Sequence, residues 1–239
     1  MIRSGHIDTF ARDNLPPQDQ WPEFLFTLPE LQYPDRLNCV TEFVDKWVTS
    51  GQGDRVAIVS PKETLTYAQL AELINRIANV LTRDLGMVSG NRVLLRSANN
   101  PMMIAAYLAV MKAGGVTVAT MPLLRAKELS YTVKKAKIKL ALCDARLSDE
   151  MEKTRALAPE LETIVYWGEG QLEALMNKPG YDTFTACDTA VDDVCLIAFT
   201  SGTTGEPKGT MHFHRDMLAP CDSYGKHVLQ AAPDDRFIG

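Results

Sequence analysis

Apolar side chains follow a helical period after Thr66. They recur every three or four residues, at Leu70, Leu73, Ile74, Ile77, Ala78 and Leu81. This spacing predicts an amphipathic helix. Thr66 and Gln69 have the separation of a capping box at its start, and Gly86 predicts its end.

Shorter apolar runs alternate with further helical segments along the rest of the chain. Asn100 and Pro101 suit the N-cap and first position of a second helix, which Gly114 is expected to end. A third helix is predicted over residues 127–137. Apolar runs predict strands at residues 92–95, 116–121, 140–143, 164–167 and 194–199.

This order of elements indicates an α/β fold. Strands that alternate with helices, without hairpin turns, predict a parallel sheet with helices on both faces. Ligands of such sheets bind beyond the C-terminal ends of the strands. Residues 1–40 are rich in proline and aromatic residues and are expected to form an irregular N-terminal arm on the surface.

A loop rich in glycine and hydroxyl groups follows the apolar run at 194–199. Residues 200–209 read TSGTTGEPKG. Glycines let a backbone approach an anion closely and direct N–H groups at it. The spacing fits neither a Walker P-loop nor a dinucleotide fingerprint, and the alternative is a surface turn with a solvated lysine. The candidate phosphate-binding residues are Thr200, Ser201, Gly202, Thr203, Thr204, Gly205 and Lys208.

Composition narrows the choice of partners. The net charge of −5 disfavours nucleic acid or an anionic membrane as the main partner, whereas ATP needs only local positive charge. The apolar stretch at residues 102–121 is interrupted by Lys112 and Gly114, so no membrane span is expected. Five scattered cysteines without a C-x-x-C pair are typical of a reduced, cytoplasmic protein without a zinc motif.

His212 and His214 are candidate metal ligands. On a strand, His212 and His214 would face the same way. No cysteine, aspartate or glutamate at ligand spacing completes a site, so no metal ligand is predicted. Cys195 lies inside an apolar run, which favours a small buried hydrophobic residue over a nucleophile.

Residues 200–209 match the phosphate-loop signature of the AMP-forming acyl-CoA synthetases, a branch of the adenylate-forming enzymes, at every fixed position. Two weaker signatures precede it in the family's order. Residues 65–70 resemble its LTYxEL segment, with Gln69 where glutamate is usual. Residues 112–122 resemble its KAGxxxxP segment. The resemblance covers at least residues 65–215.

The resemblance implies a two-step reaction. A carboxylic acid attacks the α-phosphate of ATP and releases pyrophosphate, and the thiol of coenzyme A then attacks the acyl-adenylate. Thr200 to Gly205 would wrap the β- and γ-phosphates, Lys208 would support them, and Mg²⁺ would bridge them. His214 is implied as a neighbour of the acid pocket. The expected cofactors are ATP, Mg²⁺ and coenzyme A.

Members of that family are longer than 239 residues. The resemblance therefore implies that residues 41–239 are an incomplete N-terminal adenylation domain. The C-terminal half, the lid domain, the adenine and ribose contacts and the catalytic lysine would lie beyond Gly239, and no catalytic residue is assigned. We expect the chain alone to be inactive and to self-associate through an exposed sheet edge, or to need a companion chain.

Residues 6–17 and 121–129 resemble those of bacterial aromatic-acid ligases, including the ligases of 2-aminobenzoate and benzoate. A fatty acid or another acyl substrate is left open, because the residues that shape the pocket would follow Gly239. Other adenylate-forming enzymes, such as carrier-protein-loading domains and luciferase-like oxidoreductases, are the first alternative. A nucleotide- or partner-binding remnant without catalysis is the second.

Overall fold

Eight strands and eight α-helices organise the part of the chain that the computed structural model describes, residues 2–200 and 205–238. The strands are β1 Val56–Val59, β2 Thr64–Thr66, β3 Arg92–Arg96, β4 Val116–Thr120, β5 Leu140–Asp144, β6 Thr163–Trp167, β7 Val194–Thr200 and β8 Lys208–Phe213. The α-helices are α1 Phe10–Asp13, α2 Lys46–Thr49, α3 Tyr67–Asn79, α4 Pro101–Lys112, α5 Ala126–Ala136, α6 Ser148–Leu157, α7 Gln171–Met176 and α8 His214–Pro220. Three π-helical segments, Thr41–Asp45, Val80–Asp84 and Cys221–Val228, adjoin α2, α3 and α8.

The main sheet has six strands in the order β6-β5-β3-β4-β7-β8. Strands β3 to β7 pair in parallel, which confirms the predicted α/β class with a mostly parallel sheet. The register places Leu94 of β3 opposite Val118 of β4 and Ala141 of β5. The C-terminal ends of these strands therefore lie along one edge of the sheet.

Two antiparallel pairs were not predicted. Strand β8 returns beside β7, and β1 pairs with β2 in a separate small sheet. The expectation of a chain without hairpin turns was wrong at these two places. The segment between β7 and β8 is too short for a helical crossover, which a parallel partner requires, so the chain returns as an antiparallel strand.

The predicted helix ends follow the local sequence. The side chain of Thr66 accepts a hydrogen bond from the Gln69 N–H at 3.2 Å, and Gln69 Oε1 accepts one from the Thr66 N–H at 2.9 Å. Asn100 caps α4 by accepting from the Met103 N–H at 2.8 Å. Gly114 follows α4 with a φ of +77°, where a Cβ atom would lie 2.6 Å from Cys187 Sγ. The capping box and the Asn100 cap are confirmed.

Helices cover both faces of the sheet. The alternating side chains of β3 show this, because Val93 and Leu95 join one apolar cluster with α3 and α4, whereas Leu94 joins a second cluster. The second cluster includes Leu129 and Val133 of α5. A sheet buried on both faces explains why its strands read as nearly continuous apolar runs.

The first forty residues are mostly irregular, apart from α1 and two short 3₁₀ turns at Gln18–Gln20 and Pro29–Leu31. The arm was expected on the surface, but its last part is buried: Leu37, Cys39 and Val40 lie in the main core. These apolar side chains lie at the end of the arm, just before the π-helical segment Thr41–Asp45, and they pack in the same cluster as α3 and α4. Within residues 2–200 and 205–238, no helix is both long and apolar enough to cross a membrane.

Candidate functional site

The β7–β8 hairpin carries the glycine- and hydroxyl-rich loop. Thr200 is the register partner of Lys208, and Thr200 Oγ1 donates a hydrogen bond to the Lys208 carbonyl at 3.4 Å. Ser201, Gly202, Thr203 and Thr204 lie outside the described residues. The hairpin therefore fixes the two ends of the predicted phosphate loop beside each other.

Strand β7 lies inside the sheet, between β4 and β8. Its first half is buried, including Val194, Cys195 and Ile197, whereas its last residue Thr200 is exposed. The strand predicted at residues 194–199 is confirmed, and only its first half is buried. The outer half emerges from the core because it carries the loop to the C-terminal edge of the parallel strands, where ligands of such sheets bind.

The charged end of the hairpin is open to solvent. Gly205, Glu206 and Lys208 are exposed and Pro207 is half-buried. Within residues 2–200 and 205–238, the Lys208 ammonium group makes no ion pair. Its charge is therefore available to an anion at the mouth of the loop.

Tyr131 of α5 holds the exit of the loop. Its hydroxyl donates to the Pro207 carbonyl at 3.1 Å, with a Glu206 carboxylate oxygen 3.3 Å away. Its ring meets Phe199 edge-on at a centroid distance of 6.5 Å. Desolvation and the neighbouring Glu206 carboxylate raise the pKa of Tyr131, so the hydroxyl stays protonated as a donor. Sequence reasoning missed this residue.

Gly209 lets the two strands of the hairpin pack closely. A Cβ atom at this position would lie 2.9 Å from Ile197 Cγ2 and 3.4 Å from Phe199 Cζ. Contacts this short require neighbouring atoms to move. The glycine after Lys208 is therefore explained by packing across the hairpin.

Arg96 organises a second loop at the same edge of the sheet. This arginine ends β3 with only 1% of its surface exposed. Its guanidinium donates to the carbonyls of Met121 at 3.1 Å, Pro122 at 2.9 Å and Leu124 at 2.8 Å. The segment 121–124 begins the stretch that resembles aromatic-acid ligases. The sequence signal that could have identified Arg96 is an arginine that directly follows the apolar residues 93–95.

His214 begins α8 and is completely buried. It does not share a strand with His212, because β8 ends at Phe213, so the expectation that both histidines face the same way from one strand was wrong. Its Nδ1 accepts from the Cys39 N–H at 3.1 Å and lies 3.2 Å from Cys39 Sγ. Its Nε2 is buried and has no hydrogen-bond partner among the described residues.

Two cysteines meet His214 in the core. One ligand atom each from Cys39, Cys195 and His214 lies within 4.8 Å of the others, and all three residues are buried. Cys195 is buried as predicted. No local pattern predicts the cluster, because its members lie 19 to 175 positions apart and the fold alone brings them together.

The fold and the hairpin together define a class: a mostly parallel α/β domain with a glycine- and hydroxyl-rich sequence that follows β7 at the C-terminal edge of its sheet. The sequence profile of the AMP-binding enzymes matches residues 44–239. The chain belongs to this family.

Several curated relatives are named as ligases of a carboxylic acid with coenzyme A. Benzoate–CoA ligase of Thauera aromatica is 28% identical over 206 residues, which are 85% of this chain and 39% of the relative. A long-chain-fatty-acid–CoA ligase of Mycobacterium tuberculosis, FadD13, is 32% identical over 165 residues, 69% of this chain and 32% of the relative. The chain thus spans well under half the length of these relatives.

Solved structures share the fold. The anthranilate–CoA ligase AuaEII in complex with anthranoyl-AMP superposes with a TM-score of 0.79 at 24% identity, over 84% of this chain and 39% of that chain. Apo MatB from Rhodopseudomonas palustris superposes with a TM-score of 0.72 at 28% identity, over 83% and 38%. The ATP-bound MatB matches with a TM-score of 0.68 at 26% identity, over 79% and 38%.

Proposed function

We propose that this chain provides the phosphate-binding part of an acid–CoA ligase, which activates a carboxylic acid with ATP and passes the acyl group to coenzyme A. The observation that carries the proposal is the β7–β8 hairpin, in which Thr200 and Lys208 pair at the two ends of the loop. The family match and the ligase relatives support it.

The phosphate loop has a clear electrostatic task. Loss of pyrophosphate from ATP builds negative charge on the leaving oxygens, and fixed donors at that point lower the barrier. The Lys208 ammonium group supplies positive charge there. Thr200, Ser201, Gly202, Thr203, Thr204 and Gly205 are proposed to supply hydroxyl and backbone N–H donors, and Mg²⁺ is proposed to bridge the phosphates.

We propose His214 as a neighbour of the acid pocket. A buried N–H without a partner is costly, so a polar group of the substrate that pairs with it would be favoured. The Nε2 atom of His214 is such a group among the described residues. Arg96 would act at the opposite, C-terminal edge of the sheet, where it holds the carbonyls of residues 121–124. His214 follows Phe213, which pairs with Val194 at the start of β7.

An aromatic acid is the proposed substrate class. Benzoate and hydroxybenzoate ligases of Thauera aromatica support it, at 28% and 29% identity. A fatty acid is the second candidate, because the FadD13 ligase is 32% identical. We further propose that residues 1–40 act as an arm and that residues 41–239 belong to an adenylation domain.

Binding of MgATP tests the proposal directly. Calorimetry on the 239-residue chain is expected to show binding that Lys208→Met and Thr200→Val weaken. Lys62→Met is the matched control, because Lys62 is an exposed lysine at the β1–β2 turn, outside the main sheet. Equal affinities in all three variants, or no binding by the unaltered chain, would contradict the proposed phosphate site.

A panel of acids then tests the substrate class. Because the chain alone is expected to be inactive, a longer protein that contains it is incubated with ATP, Mg²⁺, coenzyme A and either benzoate, 2-aminobenzoate, hydroxybenzoates or fatty acids. Acid-dependent AMP release is then measured. Faster release with the aromatic acids supports the proposed class. Release that depends only on fatty acids would replace it with the second candidate.

A further inference from the structure

Four buried groups with nitrogen or sulfur ligands meet where the arm enters the core. Cys39 lies just before the π-helical segment Thr41–Asp45, Cys195 lies in β7 and His214 begins α8. Their ligand atoms lie within 4.8 Å of one another, with 3.2 Å between Cys39 Sγ and His214 Nδ1. The thioether sulfur of Met111, also buried, lies 3.8 Å from Cys39 Sγ. Neither the phosphate loop nor the proposed ATP chemistry uses the two thiols.

The donor set favours a soft metal ion. Magnesium and calcium prefer oxygen ligands, whereas thiolate and thioether sulfur select Cu(I). Zinc also takes thiolate and imidazole, but its structural sites have four such ligands in a tetrahedron, and thioethers are not among them. Two cysteines, one histidine and one methionine therefore suit Cu(I) better than Zn²⁺.

We propose that Cys39, Cys195 and His214 form a binding site for Cu(I), with the thioether of Met111 as a weaker fourth ligand. Cu(I) replaces thiol protons as it binds the two sulfur atoms, and these protons are released to solvent. Coordination by His214 Nδ1 uses the lone pair that accepts from the Cys39 N–H, so the metal bonds must outweigh that hydrogen bond. The ion would fasten the arm at residue 39 to β7 and α8.

Anaerobic titration of the reduced 239-residue chain with Cu(I), in competition with a chromophoric Cu(I) chelator, tests the site. The titration is done on the folded chain and on chain refolded from urea with the metal, because the ligands are buried. We expect about one copper ion per chain, ultraviolet thiolate-to-copper absorption and a higher melting temperature. Copper uptake by neither preparation overturns the proposal.

Variants locate the site. Cys39→Ser and Cys195→Ser are expected to lose the tightly bound copper, whereas Cys187→Ser and Cys221→Ser, which remove thiols outside the cluster, keep it. Met111→Leu preserves size and apolar character, so this variant is expected to fold. We expect its affinity for copper to fall about 10-fold, which is typical when a supporting contact around a metal is lost. Unchanged affinity in Cys195→Ser, or binding of Zn²⁺ without binding of Cu(I), contradicts the proposal.

Discussion

The ammonium group of Lys112 lies 2.7 Å from the Asp45 carboxylate and 2.7 Å from the Asn75 side-chain oxygen. The Lys112 side chain is only 3% exposed. These contacts join the last residue of α4 to the π-helical segment before α2 and to α3. Lys112, which begins the weaker signature at residues 112–122, therefore stabilises the packing of α4 against α3 and the π-helical segment Thr41–Asp45.

Replacement of Lys112 should destabilise the fold. Lys112→Met leaves Asp45 without its partner in a largely buried place, and we expect the free energy of unfolding to fall by about 3 kcal/mol, as when one half of a buried pair is removed. Urea denaturation followed by circular dichroism measures the change.

Lys46→Met is the control for this variant. Lys46 makes an exposed pair with Glu42 on the adjoining helical turn, and its loss should cost less than about 1 kcal/mol. Equal destabilisation by the two variants would contradict the role assigned to Lys112.

The predictions that held are those that depend on neighbouring residues. The capping box at Thr66 and the N-cap at Asn100 need only three or four residues in sequence, and both form as expected. The apolar runs also predicted the parallel strands, because a sheet covered on both faces requires apolar side chains at successive positions.

The features that the sequence did not reveal depend on distant residues. The antiparallel return of β8 depends on the length of the turn before it. No local pattern identifies β7 as the strand with which β8 pairs. The contact between Cys39 and His214 joins residues 175 positions apart. Tyr131 looked like any half-buried helical tyrosine until the hairpin placed Pro207 against its hydroxyl.

Asp193 should make stability depend on pH. Burial opposes its ionisation, but the charge of His6 and hydrogen bonds from Ser4 and from two backbone N–H groups outweigh burial and lower its pKa. Arg12 lies 2.9 Å from the same carboxylate. Since the folded-state pKa is below the unfolded one, this stabilisation is complete above the ordinary pKa of 3.8 and is lost as pH falls through the lowered value.

We therefore expect Asp193→Asn to lower stability at pH 7 and to flatten the loss of stability below about pH 4. Asp192→Asn is the matched control, because Asp192 contacts the same Arg12 at 3.2 Å. Melting temperatures between pH 2 and pH 7 measure both effects. A steep acid transition that persists in Asp193→Asn would assign that transition to other groups.

Tyr131 should affect nucleotide binding without contacting the nucleotide. Tyr131→Phe keeps the ring against Phe199 and removes the hydroxyl that donates to the Pro207 carbonyl. We expect the affinity for MgATP to fall about fivefold, because a typical hydrogen bond contributes about 1 kcal/mol of free energy. Calorimetric titration measures it. Tyr166→Phe on β6 removes a hydroxyl bonded to Glu152 of α6, and it should leave the affinity unchanged.

Lys208 should act mainly on the rate of acid activation. Its exposed ammonium group has no ion-pair partner among the described residues, so its charge can neutralise the leaving pyrophosphate rather than a protein carboxylate. A positive group beside the charge that develops stabilises the transition state more than the ground state. Removal of one such group raises the activation free energy by about 2–4 kcal/mol. We expect Lys208→Met to slow acid-dependent ATP–pyrophosphate exchange by about 30- to 1000-fold, with little change in the KM for the acid.

The measurement requires a preparation that carries out exchange, either the 239-residue chain or a longer protein that contains it. Lys62→Met should exchange at the unaltered rate, and an equal rate in Lys208→Met would place this lysine among the solvated surface residues.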